Sequence, residues 1–262
     1  MKYNRFLISK CWEKRYKVEK VYQVIEQEVQ QYTGKSLVVL KILVLLHDFL
    51  RKGPPECISN SYKINASTIC QKLLTTWRGL SRTDRAFDQK RHPFVCLVIE
   101  LYSVLLLWKV RLGFTYAFFI EGNFSLLPFF RTGIEGRILS LSFVEELISY
   151  LERLVSFHDR IQSHSYLVDI QRSIILSLID EEYCLVSVLV HIYIAFKHAT
   201  NYIEEVLDDD ALRYKLAQTD SRFEAVYLHL RQLFEQARKF STLLGGNNFE
   251  LDVKLVDYLK SI

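Results

Sequence analysis

An apolar segment near the N-terminus constrains the fold more than any other feature of the sequence. In residues 37–46, nine of ten positions are Leu, Val or Ile, and the exception is Lys41. A membrane-spanning helix needs about 20 consecutive apolar residues. This run reaches His47 and Asp48 after ten. We therefore expect a buried helix of a packed domain rather than a membrane span.

The end of this segment carries several helix-stop signals. Arg51 and Lys52 complement the negative C-terminus of a helix, Gly53 can adopt a left-handed conformation, and Pro54 and Pro55 prevent continuation. A helix that is apolar on nearly every face must be covered from several sides. The segment is therefore predicted to be the central core helix of a stack of helices.

Other parts of the chain show the same helical pattern. Similar apolar runs at 94–110 and 183–196 contain Glu100 and His191, which are unsuited to a membrane span. Further helices are predicted over about 12–32, 142–157, 222–244 and 251–259, with irregular connections at 80–92 and 113–136. No residue repeat is visible. The predicted fold class is all-α: a single elongated α-solenoid of stacked antiparallel helices, with a longer helical bundle in the C-terminal half.

Cysteine usage and the N-terminus both favour the cytosol. The five cysteines are odd in number and contain no CxxC pair, and three of them lie in apolar stretches. We predict reduced thiols that pack as small hydrophobic side chains. The N-terminus has only three apolar residues in a row before charges return, which is too short for a signal peptide.

Positive charge is concentrated at the N-terminal end. Residues 1–100 contain 18 Lys and Arg against nine Asp and Glu, whereas residues 101–262 contain 16 against 21. If the first 20 residues are helical, Lys10, Lys14 and Lys17 share one stripe about 60° wide. Such a stripe could hold a multiply charged phosphate group. It could equally be a solvated helix face.

No pattern of catalytic or metal-binding residues emerges. His191 and His198 are seven residues apart, with Glu205 seven further on, whereas zinc on a helix usually takes an i, i+4 pair. The acidic run at 208–210 is expected to cap a helix, and His47 to be satisfied by a neighbour in the core. We expect neither an enzyme nor a metal or cofactor site. A nucleic-acid partner is not expected either, because the positive charges are interleaved with acids and no such motif appears.

One segment also resembles a motif of a known family, the ANTH domain of clathrin-assembly (CALM-type) endocytic adaptors, within the ENTH/ANTH/VHS helical superfamily. That family has a helix of the form VxxKxLxxxHxLLrxGxPxF, and this chain has VVLKILVLLHDFLRKGPPEC at 38–57. Three marked positions are in register with it: Lys41, His47 and Gly53.

The resemblance extends along nearly the whole chain. An aromatic-rich helix of the family corresponds to 94–110, and two later helices of its C-terminal bundle correspond to 186–207 and 225–246. The resemblance implies one ANTH-like domain over 1–262. Its parts would be an ENTH-like solenoid over about 1–130 and a helical extension over about 138–262.

The resemblance also implies a lipid headgroup ligand, above all phosphatidylinositol 4,5-bisphosphate. The family binds it through a lysine of the first helix and, after nine intervening residues, a Lys-x-Lys-His group. Lys10 takes the first place and Lys20 begins the group, but the next basic place is Tyr22. In a second register, Lys17 and Lys20 take the first-lysine and histidine places, and Glu19 replaces a lysine. The candidate lipid-binding residues are Lys10, Lys14, Lys17, Lys20 and Tyr22.

The implied function is a phosphoinositide-binding peripheral membrane adaptor in clathrin-mediated endocytosis or vesicle coat assembly, on the plasma membrane or on coated vesicles. The alternative is a helical scaffold in membrane trafficking that binds proteins without lipid specificity. Clathrin and other coat proteins are expected to bind only through a tail outside these 262 residues. Phe6 and Trp12 could insert at a membrane interface, although packing is the preferred interpretation for both.

Overall fold

The protein is all-helical wherever its structure is described. The computed structural model describes residues 2–32, 34–58, 60–78, 93–116, 141–163, 168–204 and 210–241, and these contain no β-strand. The helices are α1 (Lys2–Trp12), α2 (Val18–Tyr32), α3 (Ser36–Lys52), α4 (Asn60–Arg78), α5 (Pro93–Thr115), α6 (Leu141–Gln162), α7 (Val168–Glu204) and α8 (Asp210–Ser241). A short 3₁₀ turn, Pro55–Ile58, follows α3. The predicted all-α class is confirmed.

The chain divides into two compact units that interleave in sequence. The first contains Met1–Ser125 and Arg160–Leu178, and the second contains Leu126–Asp159 and Ile179–Ile262. Helices α6 and α7 therefore each contribute residues to both units. The predicted organisation as one domain, with a change between 130 and 138, stays a prediction.

Helix α3 is the core helix of the first unit, as the apolar run predicted. It contacts α1, α2, α5 and the 3₁₀ turn. Because neighbours cover it on several sides, its side chains from Val39 to Leu50 are buried, except that Lys41 is exposed and Leu45 is half-buried. Leu37, at the start of the run, is 55% exposed and lies outside this core.

Three polar residues of α3 are buried: His47, Asp48 and Arg51. The Nδ1 atom of His47 is 2.8 Å from the hydroxyl oxygen of Tyr102 on α5, which confirms the expectation that a neighbour satisfies this histidine. Asp48 accepts hydrogen bonds from Asn4 of α1 and Ser177 of α7, each at 3.0 Å. Arg51 lies 3.7 Å from the same carboxylate. Buried charges of this kind are tolerated only when they are paired and hydrogen-bonded.

The glycine after α3 is required for a different reason from the one predicted. Gly53 has φ −71° and ψ 164°, so the expected left-handed conformation is wrong. A Cβ at this position would instead overlap the carbonyl oxygen of Phe49 and lie 2.5 Å from the Sγ atom of Cys57. The 3₁₀ turn folds back so closely on the end of α3 that only glycine fits without a shift.

The second unit is stabilised by polar contacts between its helices as well as by apolar packing. Tyr150 of α6 donates a hydrogen bond of 2.8 Å to Glu181 of α7, and both side chains are fully buried. His158 and Glu182 form a second buried pair at 2.9 Å. On α8, Arg222 binds Glu152 of α6 through two hydrogen bonds, of 2.7 and 3.0 Å.

Several predicted boundaries shift by about a turn or more. Helix α5 continues to Thr115, into the stretch predicted as irregular. Helix α8 begins at Asp210, so the helix expected to follow the acidic run and the helix predicted from residue 222 are one continuous helix. The predicted connection at 80–92 and the predicted helix at 251–259 lie outside the described residues. In the described part of the chain, no helix combines the length and apolarity that crossing a bilayer requires.

The central position of α3 can be tested by placing one charge at two sites of the same helix. Leu43→Asp should unfold the protein, because Leu43 is fully buried and an unpaired buried carboxylate costs several kcal/mol, out of a typical stability of about 5–15 kcal/mol. Leu37→Asp is the matched control, and should leave the melting temperature nearly unchanged because Leu37 is exposed. Circular dichroism melting measures both variants. An unchanged melting temperature for Leu43→Asp would contradict the core assignment.

A second prediction concerns pH. Burial raises the pKa of Asp220 on α8 from 3.8 to about 6. The folded state then holds a proton that the unfolded chain has released, so this residue lowers stability as pH rises from about 4 to 6. Asp220→Asn should raise stability at pH 7, by less than about 1 kcal/mol because solvent screens a half-exposed group. Urea unfolding at pH 4 and 7 measures it, with Glu224→Gln as the control. Equal gains at both pH values would contradict the prediction.

Candidate functional site

The basic N-terminal stretch forms two helices with a turn between them. The sequence predicted a helix beginning near Trp12, which is wrong, because α1 ends at Trp12 and α2 begins at Val18. The stripe of Lys10, Lys14 and Lys17 required the first 20 residues to be one helix, so it does not form. Lys10 belongs to α1, whereas Lys14 and Lys17 belong to the turn. We call residues 10–20 the α1–α2 junction.

The turn has a defined backbone conformation, a Schellman motif. The N–H of Arg15 donates to the carbonyl of Lys10 at 2.9 Å, and the N–H of Lys14 donates to the carbonyl of Cys11 at 3.0 Å. These are the two hydrogen bonds of a Schellman motif, in which the residue that donates the shorter-range bond adopts the left-handed conformation. Here that residue is Lys14, with φ 56°, the only non-glycine residue with positive φ in the described part of the chain. The motif turns the chain back on the end of α1 and brings Arg15 beside Lys10.

A carboxylate lies within this group of cations. Glu13 accepts hydrogen bonds from Lys10 Nζ at 2.8 Å and from Ser9 Oγ at 3.1 Å. The Nε atom of Arg15 is 2.9 Å from the same carboxylate oxygen that Lys10 contacts. The hydrogen bonds from Lys10 and Ser9, together with the charges of Lys10 and Arg15, lower the pKa of Glu13.

Three lysines of the junction remain exposed to solvent. Lys14 lies in the turn, and Lys17 and Lys20 flank the start of α2, where the carbonyl of Lys17 accepts the N–H of Lys20 at 3.0 Å. Within the described residues, none of these three forms an ion pair. The N-terminus of α2, which is the positive end of that helix's dipole, lies beside Lys17 and Lys20. The result is a local excess of positive charge that an anion can approach.

Tyr22 does not contribute to this surface. Its side chain is 1% exposed, its ring packs edge-on against Phe49 at a centroid distance of 5.7 Å, and its hydroxyl donates to the carbonyl of Cys57 at 3.1 Å. The sequence placed Tyr22 in the candidate set because it occupies a basic position of the family motif. The structure places it in the core, so we remove it from the set.

Exposed aromatic side chains accompany the lysines. Phe6, Trp12 and Tyr16 are 53%, 55% and 48% exposed. The packing preferred for Phe6 and Trp12 is therefore only partly observed: Lys10 lies 5.5 Å from the ring centroid of Phe6, and the indole N–H of Trp12 donates to the carbonyl of Lys52 at 2.8 Å. Amphipathic aromatic rings are typical of membrane–water interfaces.

The remaining candidates show no second site in the described parts of the chain. His191 is exposed and its Nδ1 atom is 2.6 Å from the carbonyl oxygen of Ser187 on its own helix. The side chain of His198 and all of Glu205 lie outside the described residues. No group of three metal-ligating side chains occurs among those that are described. The five cysteines are free thiols, as predicted.

The fold is similar to that of a known phosphoinositide-binding domain. The ENTH domain from epsin-2, solved in complex with phosphatidylinositol 4,5-bisphosphate, superimposes with a TM-score of 0.64 over 95% of this chain and 88% of that one. The two sequences are 15% identical. No family model and no curated protein matches the sequence. The chain therefore has an ENTH-like helical fold.

Sequence reasoning missed two contributors to this site. Arg15 and Tyr16 are exposed at the junction but occupied no place in the family motif. The available signal was the density of charge, since Arg15 is one of seven basic residues within the first 20. The turn itself had no signal, because the position that needs a left-handed conformation is a lysine rather than a glycine.

This turn gives a prediction about stability. A non-glycine residue in the left-handed region costs roughly 1–2 kcal/mol, which glycine avoids. Lys14→Gly should therefore raise the free energy of unfolding by up to about 1 kcal/mol. Lys20→Gly should lower it by about the same amount, because Lys20 lies within α2. Chemical denaturation measures both. Destabilisation by Lys14→Gly equal to that by Lys20→Gly would contradict the Schellman turn.

Proposed function

We propose that this protein is a peripheral membrane adaptor domain that binds phosphoinositide headgroups, above all phosphatidylinositol 4,5-bisphosphate, at the α1–α2 junction. The observation that carries the proposal is the exposed set of Lys14, Lys17 and Lys20 at the α1–α2 junction. Near an anionic leaflet, each Lys or Arg contributes about 1 kcal/mol. A few such residues support reversible recruitment rather than permanent anchoring.

Two further observations support this proposal. The epsin-2 ENTH domain, which has a similar fold, was solved with the same phosphoinositide. Lys17 and Lys20 lie at the start of α2, where the dipole of that helix is also positive, so a phosphate group bound there would meet both. The proposed site uses Lys10, Lys14, Lys17 and Lys20 from the sequence prediction and adds Arg15.

The finer assignment is an ANTH-type adaptor that takes part in clathrin-mediated endocytosis or vesicle coat assembly, as a binding protein rather than an enzyme. Its support is the motif at 38–57, in which His47 binds Tyr102 and Gly53 permits the tight turn. Two described histidines with a polar partner on another helix, His47 and His158, are fully buried and so inaccessible to a substrate. A third, His229, is half-exposed and lies 4.0 Å from Asp159.

A protein-binding scaffold without lipid specificity is the second candidate. One observation favours it: in one register of the family motif, Glu19 occupies a lysine position, and it is exposed at the start of α2. A scaffold of this kind would bind anionic vesicles weakly and without preference for a phosphoinositide.

The test compares two pairs of charge reversals in vesicle flotation, with phosphatidylcholine vesicles that contain or lack phosphatidylinositol 4,5-bisphosphate, at two salt concentrations. Lys17→Glu with Lys20→Glu should weaken binding by roughly 30-fold or more, since two favourable cations are lost. Folding should persist, because acidic residues are favourable in the first turn of a helix.

The matched control is Lys41→Glu with Lys72→Glu, which alters net charge equally at exposed positions of α3 and α4. This variant should lose much less binding. Equal losses in the two variants, or binding of the unmodified protein that does not depend on the phosphoinositide, would contradict the proposed site and favour the scaffold.

A further inference from the structure

Glu13 is paired with two of the junction's cations, Lys10 and Arg15. One of its oxygens is 2.8 Å from Lys10 Nζ and 2.9 Å from Arg15 Nε, and the other accepts the Ser9 hydroxyl at 3.1 Å. An oxygen atom that receives two cationic donors resembles a phosphate oxygen in its contacts. In this structure, a carboxylate of the protein itself holds both cations.

The backbone places Glu13 at this point. Its N–H donates to the carbonyl of Ser9, so it still belongs to the last turn of α1, and the Schellman motif then returns Arg15 to the same helix end. Glu13 is therefore flanked by Lys10 one turn before it and by Arg15 two residues after it. Its side chain is 40% exposed and that of Arg15 is 69% exposed, so a ligand in solution can reach both.

We propose that Glu13 is an internal competitor of the ligand phosphate and thereby determines the affinity of the junction. A headgroup phosphate that engages Lys10 and Arg15 must first displace the carboxylate of Glu13. Lys14, Lys17 and Lys20 remain available without any displacement. This inference rests on the proposed function, because it concerns the same phosphate-binding site.

The competition has a predictable size and little pH dependence. Exposed ion pairs are individually weak, so the loss of two of them lowers the affinity of the ligand by about two- to thirtyfold. The neighbouring cations hold the pKa of Glu13 below its ordinary value of 4.5. The carboxylate therefore stays ionised, and remains a competitor, throughout the neutral range.

The competitor also affects different headgroups differently. A multiply charged phosphoinositide gains enough from Lys10 and Arg15 to displace Glu13, so it recovers the whole displacement cost when the carboxylate is removed. A singly charged headgroup that does not displace Glu13 has less to gain. Removal of the carboxylate should therefore increase phosphoinositide binding more than phosphatidylserine binding.

The experiment compares Glu13→Gln with Glu19→Gln in the full 262-residue chain. Both substitutions remove one negative charge from an exposed position of the junction, but the structure pairs only Glu13 with Lys10 and Arg15. Vesicle affinities are measured with phosphatidylinositol 4,5-bisphosphate and with phosphatidylserine at equal total charge. Titration with soluble inositol 1,4,5-trisphosphate separates binding of the headgroup phosphates from binding to a lipid surface.

The expected result is a gain for Glu13→Gln about two- to thirtyfold beyond that for Glu19→Gln, larger for the phosphoinositide than for phosphatidylserine, and present with the soluble headgroup. Equal gains for the two variants, with clear binding by the unmodified protein, would overturn this inference alone. No binding by any of the three proteins would overturn the proposed function as well. Binding by Glu13→Gln alone would support both.

Discussion

The buried carboxylate of Asp48 joins three helices of the first unit. It accepts hydrogen bonds from Asn4 of α1 and Ser177 of α7 and lies 3.7 Å from Arg51. These contacts are buried, except that the hydrogen bond from Asn4 is only partly buried. A buried charge is costly unless its partners are in place, so the packing of these helices has to supply those partners. Helix α1 is thereby fixed against α3, and its far end is fixed by the bond between Trp12 and the carbonyl of Lys52. The location of the α1–α2 junction depends on both contacts.

The core of the first unit could be predicted from the sequence, because burial leaves a strong signal in residue type. The apolar run of α3 predicted a central helix, and Leu43 is fully buried in it. The role of Gly53 was predicted for the wrong reason, since its requirement comes from the close approach of Phe49 and Cys57 where the 3₁₀ turn folds back on the end of α3. The interleaving of the two units along α6 and α7 depends on long-range contacts.

The candidate site was predictable in its charge but not in its shape. The basic density near the N-terminus correctly located Lys14, Lys17 and Lys20 on the surface. The helical stripe was nevertheless the wrong arrangement, because the chain turns at Lys14. Nothing in the sequence indicates that this lysine adopts a left-handed conformation. The spacing of the apolar residues in α2 indicated that Tyr22 is buried, but its position in the family motif led to its inclusion among the lipid-binding candidates. The pairing of Glu13 with Lys10 and Arg15 could be recognised only from the structure.

The central claim is that phosphoinositide headgroups bind at the α1–α2 junction. Lysine acetylation followed by mass spectrometry, with and without vesicles that contain phosphatidylinositol 4,5-bisphosphate, tests it directly in the unmodified protein. The account predicts slower modification of Lys14, Lys17 and Lys20 on these vesicles, and unchanged modification of Lys41 and Lys72, which are also exposed. Uniform protection of all five lysines, or protection of Lys41 and Lys72 alone, would contradict it.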